Sequence, residues 1–388
     1  MKAIFVAAVG GFVPQFEMHD VRLLQRKGVE VHYAANFENP VYPLDLDELH
    51  SEGIITHHIN IQKSPARVLE NLDATLRLRH IIQQEQIGLV HCHNLMGALV
   101  ARLASLWSGR KPYVLYTTHG LYFYQGAPLW NWLLGFPLER VLARCTDRII
   151  TINREDRRRV DRFPLRNAGP KEQICGVGVD MERFRKRPER RASMRKALNI
   201  PPDAFHIVTA AELNRNKNQA VIIHAIAQLD DAGIYYSLCG EGPEKALLQA
   251  LIERYGLCDR IRLLGYRNDM PDVLQSADCF AFPSVREGLG IAAVEALACS
   301  VPVVASDNRG TREYLRDGFN GIICRENKAE AFAEAIGNLR QSPELCKQLS
   351  QGCRESVAPF SVTEAERRMD EIYEEILSCI IPKEEKQM

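Results

Sequence analysis

The chain has 388 residues, which is long for one typical domain and comfortable for two. Its 46% hydrophobic and 25% charged residues, with 49 Lys and Arg against 49 Asp and Glu, exclude disordered, collagen-like and coiled-coil classes. No run approaches the roughly 20 apolar residues of a membrane-spanning helix. We interpret the apolar start as a buried strand rather than a signal peptide, and we expect a cytoplasmic protein.

Short apolar strands alternate with helical stretches throughout the first half. This alternation predicts a parallel sheet covered by helices on both faces. The predicted helices span 16–27, 72–86 and 97–108. The predicted strands are KAIFVAAV, VEVHYAAN, GLVHCHN and YVLYTTHG.

A stretch rich in Pro and Arg interrupts the alternation between residues 163 and 205, and the alternation then resumes. The sequence therefore predicts two βα domains, 1–185 and 186–360, followed by a helix and tail at 361–388 that return to the first domain. Such a pair places a ligand cleft at the carboxyl ends of the strands. The second half's predicted helices span 219–229, 244–255, 270–276, 290–299, 329–341, 343–355 and 362–380; its predicted strands are FHIVTAAEL, YYSLCGEG, IRLLGY, CFAFPS and VPVVAS.

The segment EGLGIAAVE carries the strongest chemical signal. Gly288 and Gly290 open a helix after a predicted strand, and a helix N-terminus offers free N–H groups and a positive dipole end to a phosphate. Glu287 in the turn and Glu295 inside the helix would repel a phosphate, so they suit sugar hydroxyls better. An ordinary helix with Glu287 as a dipole partner is the alternative.

Three further stretches end predicted strands. In AELNRNKNQA, Arg215 and Lys217 could neutralise a diphosphate leaving group, or they could belong to a solvated basic loop. Gly10-Gly11 allows close backbone approach but is not a G-x-G-x-x-G motif, which argues against a nicotinamide cofactor. His119, in YTTHG, is either structural or at the ligand site.

Metal sites find little support in the sequence. The 11 cysteines are scattered without a Cys-x-x-Cys pair. His91-Cys92-His93 could place two ligands on one face of a strand, but no third and fourth ligand follow at a usable spacing. Asp45 and Asp47 lie far in sequence from any phosphate loop. We expect no metal.

The segment LYFYQGAPLWNWLLGFPL, residues 121–138, combines aromatic and leucine side chains with Arg140, Arg144 and Arg148 behind it. Residues 1–190 carry a net charge of +6 and the remainder −6. These features suit contact with an anionic membrane at the inner face of the cell membrane. A buried helix and a solvated surface are the alternatives. The evenly spread basic residues argue against nucleic acid.

Together these segments resemble glycosyltransferase family 4, of the GT-B architecture, over nearly the whole chain. The most specific marker is the Glu-x7-Glu spacing from Glu287 to Glu295. The segments HGLYFYQGAP, TINREDRRR, GVGVDMERF, AELNRNKNQ and DNRGTREYLRDGFNG resemble the subgroup that builds bacterial exopolysaccharides and capsules. The resemblance implies an acceptor-binding first domain and a second domain that binds the nucleotide sugar.

The resemblance also implies roles for individual residues. Glu295 would bind the ribose and Glu287 the donor sugar, beside which His119 would lie. The diphosphate would meet Lys217, Gly10-Gly11, and the backbone N–H groups of Gly288, Leu289 and Gly290. Backbone groups at Tyr266 and Arg267 would read the base. Glu212 departs from the family pattern, which often has Arg there, so Arg215 would substitute or Lys217 would act alone.

The implied activity is a retaining, metal-independent transfer of a hexose or N-acetylhexosamine from a nucleotide sugar, with UDP favoured. The acceptor would be a growing saccharide, linked to polyprenyl diphosphate if the membrane interpretation holds. A nucleotide-sugar epimerase of the same architecture and an inactive nucleotide-sugar-binding relative are the alternatives.

Overall fold

A computed structural model describes residues 1–380, so the predicted tail at 381–388 lies outside the described residues. The chain forms two compact units: Met1–Val177 with 363–380, and Gly178–Val362. The chain thus leaves the first unit at 177/178, whereas the sequence places the boundary at 185/186. Local pairing explains the difference, because the Val179 N–H donates to Phe360 O at 2.8 Å, inside the second unit.

The first unit is built on a parallel sheet of seven strands in the order β3-β2-β1-β4-β5-β6-β7. Sequence analysis misses β3, β6 and β7, because β3 and β7 are short edge strands with partly exposed residues and β6 has only four residues. The strands are β1 Lys2–Val6, β2 Glu30–Ala35, β3 Ile55–His58, β4 Leu89–His93, β5 Tyr113–Thr118, β6 Arg148–Thr151 and β7 Lys171–Gln173.

Helices cover this sheet, and its central strands are buried on both faces. Ala3 to Val6 of β1 are fully buried. The predicted helix at 16–27 corresponds to α2, and a further short helix, α1, precedes it, with Glu17 between the two. The helices are α1 Phe12–Phe16, α2 Met18–Arg26, α3 Leu46–Ser51, α4 Val68–Gln84, α5 Leu95–Trp107, α6 Phe136–Leu142 and α7 Arg154–Val160.

The second unit repeats the plan with six parallel strands in the order β10-β9-β8-β11-β12-β13. The strands are β8 Phe205–Ala210, β9 Ile234–Cys239, β10 Ile261–Gly265, β11 Cys279–Phe282, β12 Val303–Ser306 and β13 Gly321–Cys324. The helices are α8 Arg191–Ala197, α9 Ala220–Leu229, α10 Lys245–Arg254, α11 Met270–Gln275, α12 Ile291–Ala298, α13 Thr311–Tyr314, α14 Ala329–Gln341 and α15 Pro343–Val357. Sequence analysis misses only β13 among these strands.

The last described helix, α16 (Val362–Ile380), belongs to the first unit from Thr363 onward. It buries an apolar stripe that includes Met369, Ile372 and Ile376. The Tyr373 hydroxyl lies 2.9 Å from His91 Nδ1 in the middle of β4, so the helix packs against that strand.

None of the helices described between residues 1 and 380 is both long enough and apolar enough to cross a membrane.

Candidate active site

The order of strands in the second sheet reverses between β8 and β11, which are neighbours. Ligands of doubly wound sheets bind at such a switch point, outside the carboxyl ends of the strands. The loops after these two strands, 211–219 and 283–290, hold most of the donor-site residues that the sequence predicts for this unit.

Lys217 and Glu287 meet at this point. Lys217 Nζ lies 2.5 Å from Glu287 Oε1 and 5.6 Å from the centre of the Phe282 ring. Asn216 ties the two loops together, because its side-chain amide donates to Arg286 O at 2.9 Å and its carbonyl accepts from the Val285 N–H at 2.8 Å. The loops therefore hold a cation and a carboxylate side by side before any ligand binds.

Glycine shapes the turn that leads into α12. Gly290 is in the left-handed region, at φ +96°, directly before the helix. A Cβ on Gly290 would lie 2.7 Å from Phe282 Cε1 and 2.9 Å from the Tyr314 hydroxyl. The turn can therefore take this path only with glycine at 290, which brings the backbone of 288–290 to the N-terminal end of α12.

The segment 307–311 supports the same turn from outside. Asn308 donates through its side-chain amide to Ser284 O at 3.0 Å, and Arg309 Nε donates to Glu287 O at 3.2 Å. A Cβ on Gly310 would lie 2.7 Å from Leu289 O. Sequence analysis names this segment only as part of DNRGTREYLRDGFNG and assigns no role to these residues.

Glu295 lies inside α12 and is partly buried. Burial raises the pKa of its carboxyl to about 7, against an opposing effect of the positive charge on Arg183. Burial disfavours the ionised form because the surroundings solvate charge poorly. Hydrogen bonds donated by hydroxyl groups stabilise the ionised form of a carboxylate in such a place.

The other predicted residues of this unit lie further out. Arg215 is 96% exposed and 3.6 Å from Glu244, so it does not join Lys217. Glu212 is also exposed. Tyr266 is exposed and Arg267 pairs with Asp269 at 2.6 Å; both follow β10, two strands away from β8.

Gly10 and Gly11 lie at the switch point of the first sheet, after β1. A Cβ on Gly11 would lie 2.5 Å from Tyr42 O, and one on Gly10 would lie 2.8 Å from Phe37. The Gly10 N–H donates to Asn36 O and the Gly11 N–H donates to Pro40 O, both at 3.0 Å. The backbone of Gly10 and Gly11 thus packs closely against the loop after β2. That it also approaches a diphosphate stays a prediction.

His119 directly follows β5 and is 24% exposed at its side chain. Its Nε2 lies 3.2 Å from His93 Nδ1 and 3.6 Å from Glu17 Oε1. Burial lowers the pKa of His119 to about 4. The ring is therefore neutral near pH 7. Neither Glu17 nor this contact of His93 could be expected from the sequence, because the three residues come from distant segments.

With a paired cation and carboxylate at a helix N-terminus, the second unit can bind an anionic, hydroxyl-bearing ligand. Comparisons with known proteins agree. The model of glycosyl transferases group 1 matches residues 190–356, and that of glycosyltransferase family 4 matches residues 21–182. EpsD of Bacillus subtilis (strain 168), provisionally named a glycosyltransferase, is 36% identical over 96% of each chain. The chain belongs to glycosyltransferase family 4.

A galactosyltransferase of Escherichia coli, named for UDP-Gal and α-D-GlcNAc-diphosphoundecaprenol, is 24% identical over 81% of this chain and 82% of its own. The solved structure of HepE from Anabaena with UDP and glucose has a TM-score of 0.78 at 19% identity, covering 96% of this chain and 99% of its own. These findings confirm the predicted family and the GT-B fold of two Rossmann-like domains. The protein is a glycosyltransferase.

Proposed function

We propose that the chain transfers a hexose or N-acetylhexosamine from a UDP-sugar to a growing saccharide, with retention of anomeric configuration and without a metal ion. The observation that carries this proposal is the Lys217–Glu287 pair, held at 2.5 Å beside the N-terminal end of α12. This arrangement offers one cation and a set of backbone N–H groups to a diphosphate, and one carboxylate to a sugar.

The roles proposed here are supported by position in the second unit and by the resemblance to the family. Lys217 and the backbone N–H groups of 288–290 stabilise the diphosphate, and Glu287 accepts hydrogen bonds from the donor sugar. Glu295, further along α12, accepts hydrogen bonds from the ribose. His119 serves the reacting centre from the first unit. Backbone groups at Tyr266 and Arg267 read the base.

Retention is proposed to occur by front-face substitution. The bond between the anomeric carbon and the diphosphate oxygen breaks, the acceptor oxygen bonds to the same face, and the leaving diphosphate takes the acceptor's proton. Lys217 already donates a hydrogen bond to Glu287. A carboxylate paired in this way is better suited to accepting hydrogen bonds from the sugar than to nucleophilic attack. Stabilising charge on the leaving group is then the enzyme's main task.

The choice of UDP is supported by the proteins that resemble this chain. HepE has been solved with UDP-glucose, and the E. coli relative is named for UDP-Gal. That relative's name also places its acceptor sugar on diphosphoundecaprenol. We propose a polyprenyl-diphosphate-linked acceptor for this chain too, in exopolysaccharide or capsule synthesis.

An exposed apolar surface of the first unit supports the proposal of a lipid-linked acceptor. Leu129, Trp130 and Leu134 are 70%, 71% and 68% exposed, which overturns a fully buried helix for this segment. Arg140 and Arg144 nearby are exposed, which suits anionic lipid headgroups. Arg148 is different: it is buried and pairs with Glu375 at 2.7 Å, so it takes no part in such a surface.

Vesicle sedimentation tests this surface. The wild-type protein is expected to sediment with anionic vesicles at low salt, and the double variant Trp130→Ser/Leu134→Ser to remain in solution. The variant Leu247→Ser, which removes an exposed leucine of the second unit, serves as the control. Failure of the wild type to sediment would count against membrane contact.

Donor kinetics test the nucleotide assignment. Replacing Glu295 with Ala is expected to raise the donor KM at least about tenfold, because charge-assisted hydrogen bonds contribute about 1.5–3 kcal/mol each. Replacing Glu244, whose partner Arg215 is exposed, serves as the control and should leave the donor KM within about threefold. An unchanged donor KM in Glu295→Ala would contradict the ribose assignment.

A further inference from the structure

Three potential metal ligands from distant segments meet in the first unit. Glu17 lies where α1 meets α2, His93 ends β4, and His119 follows β5. Glu17 Oε1 lies 3.6 Å from His93 Nδ1 and 3.6 Å from His119 Nε2, and the two imidazole nitrogens are 3.2 Å apart. Glu17 is 3% exposed and His93 is fully buried. We call these residues the Glu17 cluster.

The Glu17 cluster lacks a cation. Glu17 Oε1 is buried without a hydrogen-bond partner. Asp20, also buried, accepts a hydrogen bond from the Tyr373 hydroxyl at 3.1 Å, lies 3.2 Å from His19 and shares a hydrogen bond with the carboxyl group of Glu17. Within residues 1–380, no Lys or Arg pairs with either carboxyl group. A buried carboxyl group without a paired cation is neutralised by a proton or by a metal ion, because an unpartnered buried charge is costly.

The distances fit a small divalent ion. The point equidistant from three atoms separated by 3.2, 3.6 and 3.6 Å lies about 2.0 Å from each of them. Zinc binds imidazole nitrogen at about 2.0–2.1 Å and carboxylate oxygen at about 2.0–2.2 Å. Tetrahedral coordination at those bond lengths separates ligand atoms by about 3.3–3.5 Å. The three potential ligand atoms are therefore as far apart as the ligands of a shared zinc ion would be.

We propose that Glu17, His93 and His119 form a binding site for a divalent first-row transition metal such as zinc. The exposed edge of His119 leaves the fourth coordination position to a water or a hydroxyl oxygen. Two imidazoles with one carboxylate are a ligand set that zinc uses in sites with one open position. The site goes beyond the proposed transfer, whose chemistry needs no metal, and its test does not depend on activity.

Packing around the Glu17 cluster is consistent with a fixed site. The Phe5 ring stacks on His93 with ring centres 5.9 Å apart, and the Phe12 ring meets His119 edge-on at 5.0 Å. Such rings hold the imidazoles in place. A hydrogen bond between the two imidazoles would satisfy one nitrogen on each ring, but it leaves Glu17 Oε1 without a partner. A shared metal ion satisfies all three atoms.

Zinc binding to the metal-stripped full-length protein tests the proposal by calorimetry, with thermal unfolding in parallel. The wild type is expected to bind one zinc ion per chain and to melt at a higher temperature with zinc. Glu17→Gln and His93→Gln should weaken binding at least tenfold, since even residues that only orient metal ligands account for about 10–100-fold in affinity. His80→Gln, an exposed histidine on α4, should bind like the wild type.

Cobalt provides a second readout, because a tetrahedral cobalt site has intense visible absorption that surface-bound cobalt lacks. Wild type and His80→Gln should show this band, and Glu17→Gln should not. No zinc binding by the wild type would overturn the proposal and leave the Glu17 cluster as a hydrogen-bonded network. Equal zinc binding by wild type, Glu17→Gln and His93→Gln would also overturn it. Melting of the zinc-free variants shows whether they are folded.

Discussion

The carboxyl edges of the two sheets handle charge in opposite ways. At the second sheet, the Lys217 cation and the Glu287 carboxylate are paired at 2.5 Å and partly accessible. At the first sheet, Glu17 and Asp20 are buried beside each other and beside imidazole and hydroxyl groups. The paired edge is organised for an anionic ligand with hydroxyl groups, whereas among residues 1–380 no Lys or Arg pairs with the buried carboxyls of the other edge. One architecture thus presents two different electrostatic environments.

Removing the cation of the paired edge should have the largest effect. Lys217→Gln is expected to lower kcat by about 10²–10³-fold, the usual loss when one group that stabilises transition-state charge is removed. The matched control is Arg215→Gln, because Arg215 is 96% exposed, and its kcat should stay within about threefold. Steady-state kinetics at saturating donor measure both. Equal losses of kcat in the two variants would show that Lys217 has no special role compared with the exposed Arg215.

The turn beneath that edge should tolerate no side chain at Gly290. Gly290→Ala is expected to lower the free energy of unfolding by about 2–4 kcal/mol, from the left-handed backbone and the clash with Phe282 and Tyr314. Gly318→Ala is the control, because Gly318 has φ +72° and open space around it. It should cost only about 1–2 kcal/mol. Equal free energies of unfolding for Gly290→Ala and Gly318→Ala, measured in urea, would mean that the turn relaxes to accept the new side chain.

Glu295 should make stability depend on pH. Its pKa is about 7 in the folded chain and 4.5 ordinarily, so the folded state binds more protons between these values. The free energy of unfolding contributed by Glu295 should therefore fall as pH rises from 4.5 to 7, by about 1–3 kcal/mol in total. Glu295→Gln should lack this component in urea unfolding at pH 4.5 and 8. Identical pH dependence in both proteins would contradict the buried placement of this carboxyl.

A substitution on the exposed apolar surface of the first unit should have the smallest effect on stability. Leu134→Ser is expected to change the free energy of unfolding by less than about 0.5 kcal/mol, because the side chain is 68% exposed. Chemical denaturation measures this value. A loss of 2 kcal/mol or more, about what burying a Leu side chain contributes, would show that Leu134 packs in the folded protein.

Sequence reasoning succeeded where the evidence is contiguous. Residues 283–290 form one segment, and the glycines there mark a turn that the structure places between β11 and α12. Apolar strands such as β1 can equally be predicted from the sequence. The short, partly exposed strands β3 and β7 cannot, since neither has the apolar pattern of a buried strand.

Sites assembled from separate segments were out of reach. His93 is a candidate metal ligand in the sequence, but no partner follows it there at a usable spacing. Its neighbours Glu17 and His119 come from other elements, and only the order of strands brings β4 and β5 together. Gly10-Gly11 shows the converse: its position was evident, but its packing against Phe37 and Tyr42 was not.

The most direct test of the central claim is nucleotide release from a panel of nucleotide sugars, with and without polyprenyl-diphosphate-linked saccharide acceptors. One UDP-sugar is expected to stabilise the wild type against heat and to release UDP only when an acceptor is present, with Lys217→Gln slower by at least about 100-fold. If no nucleotide sugar in the panel stabilises the protein or releases its nucleotide, the proposed donor chemistry is contradicted.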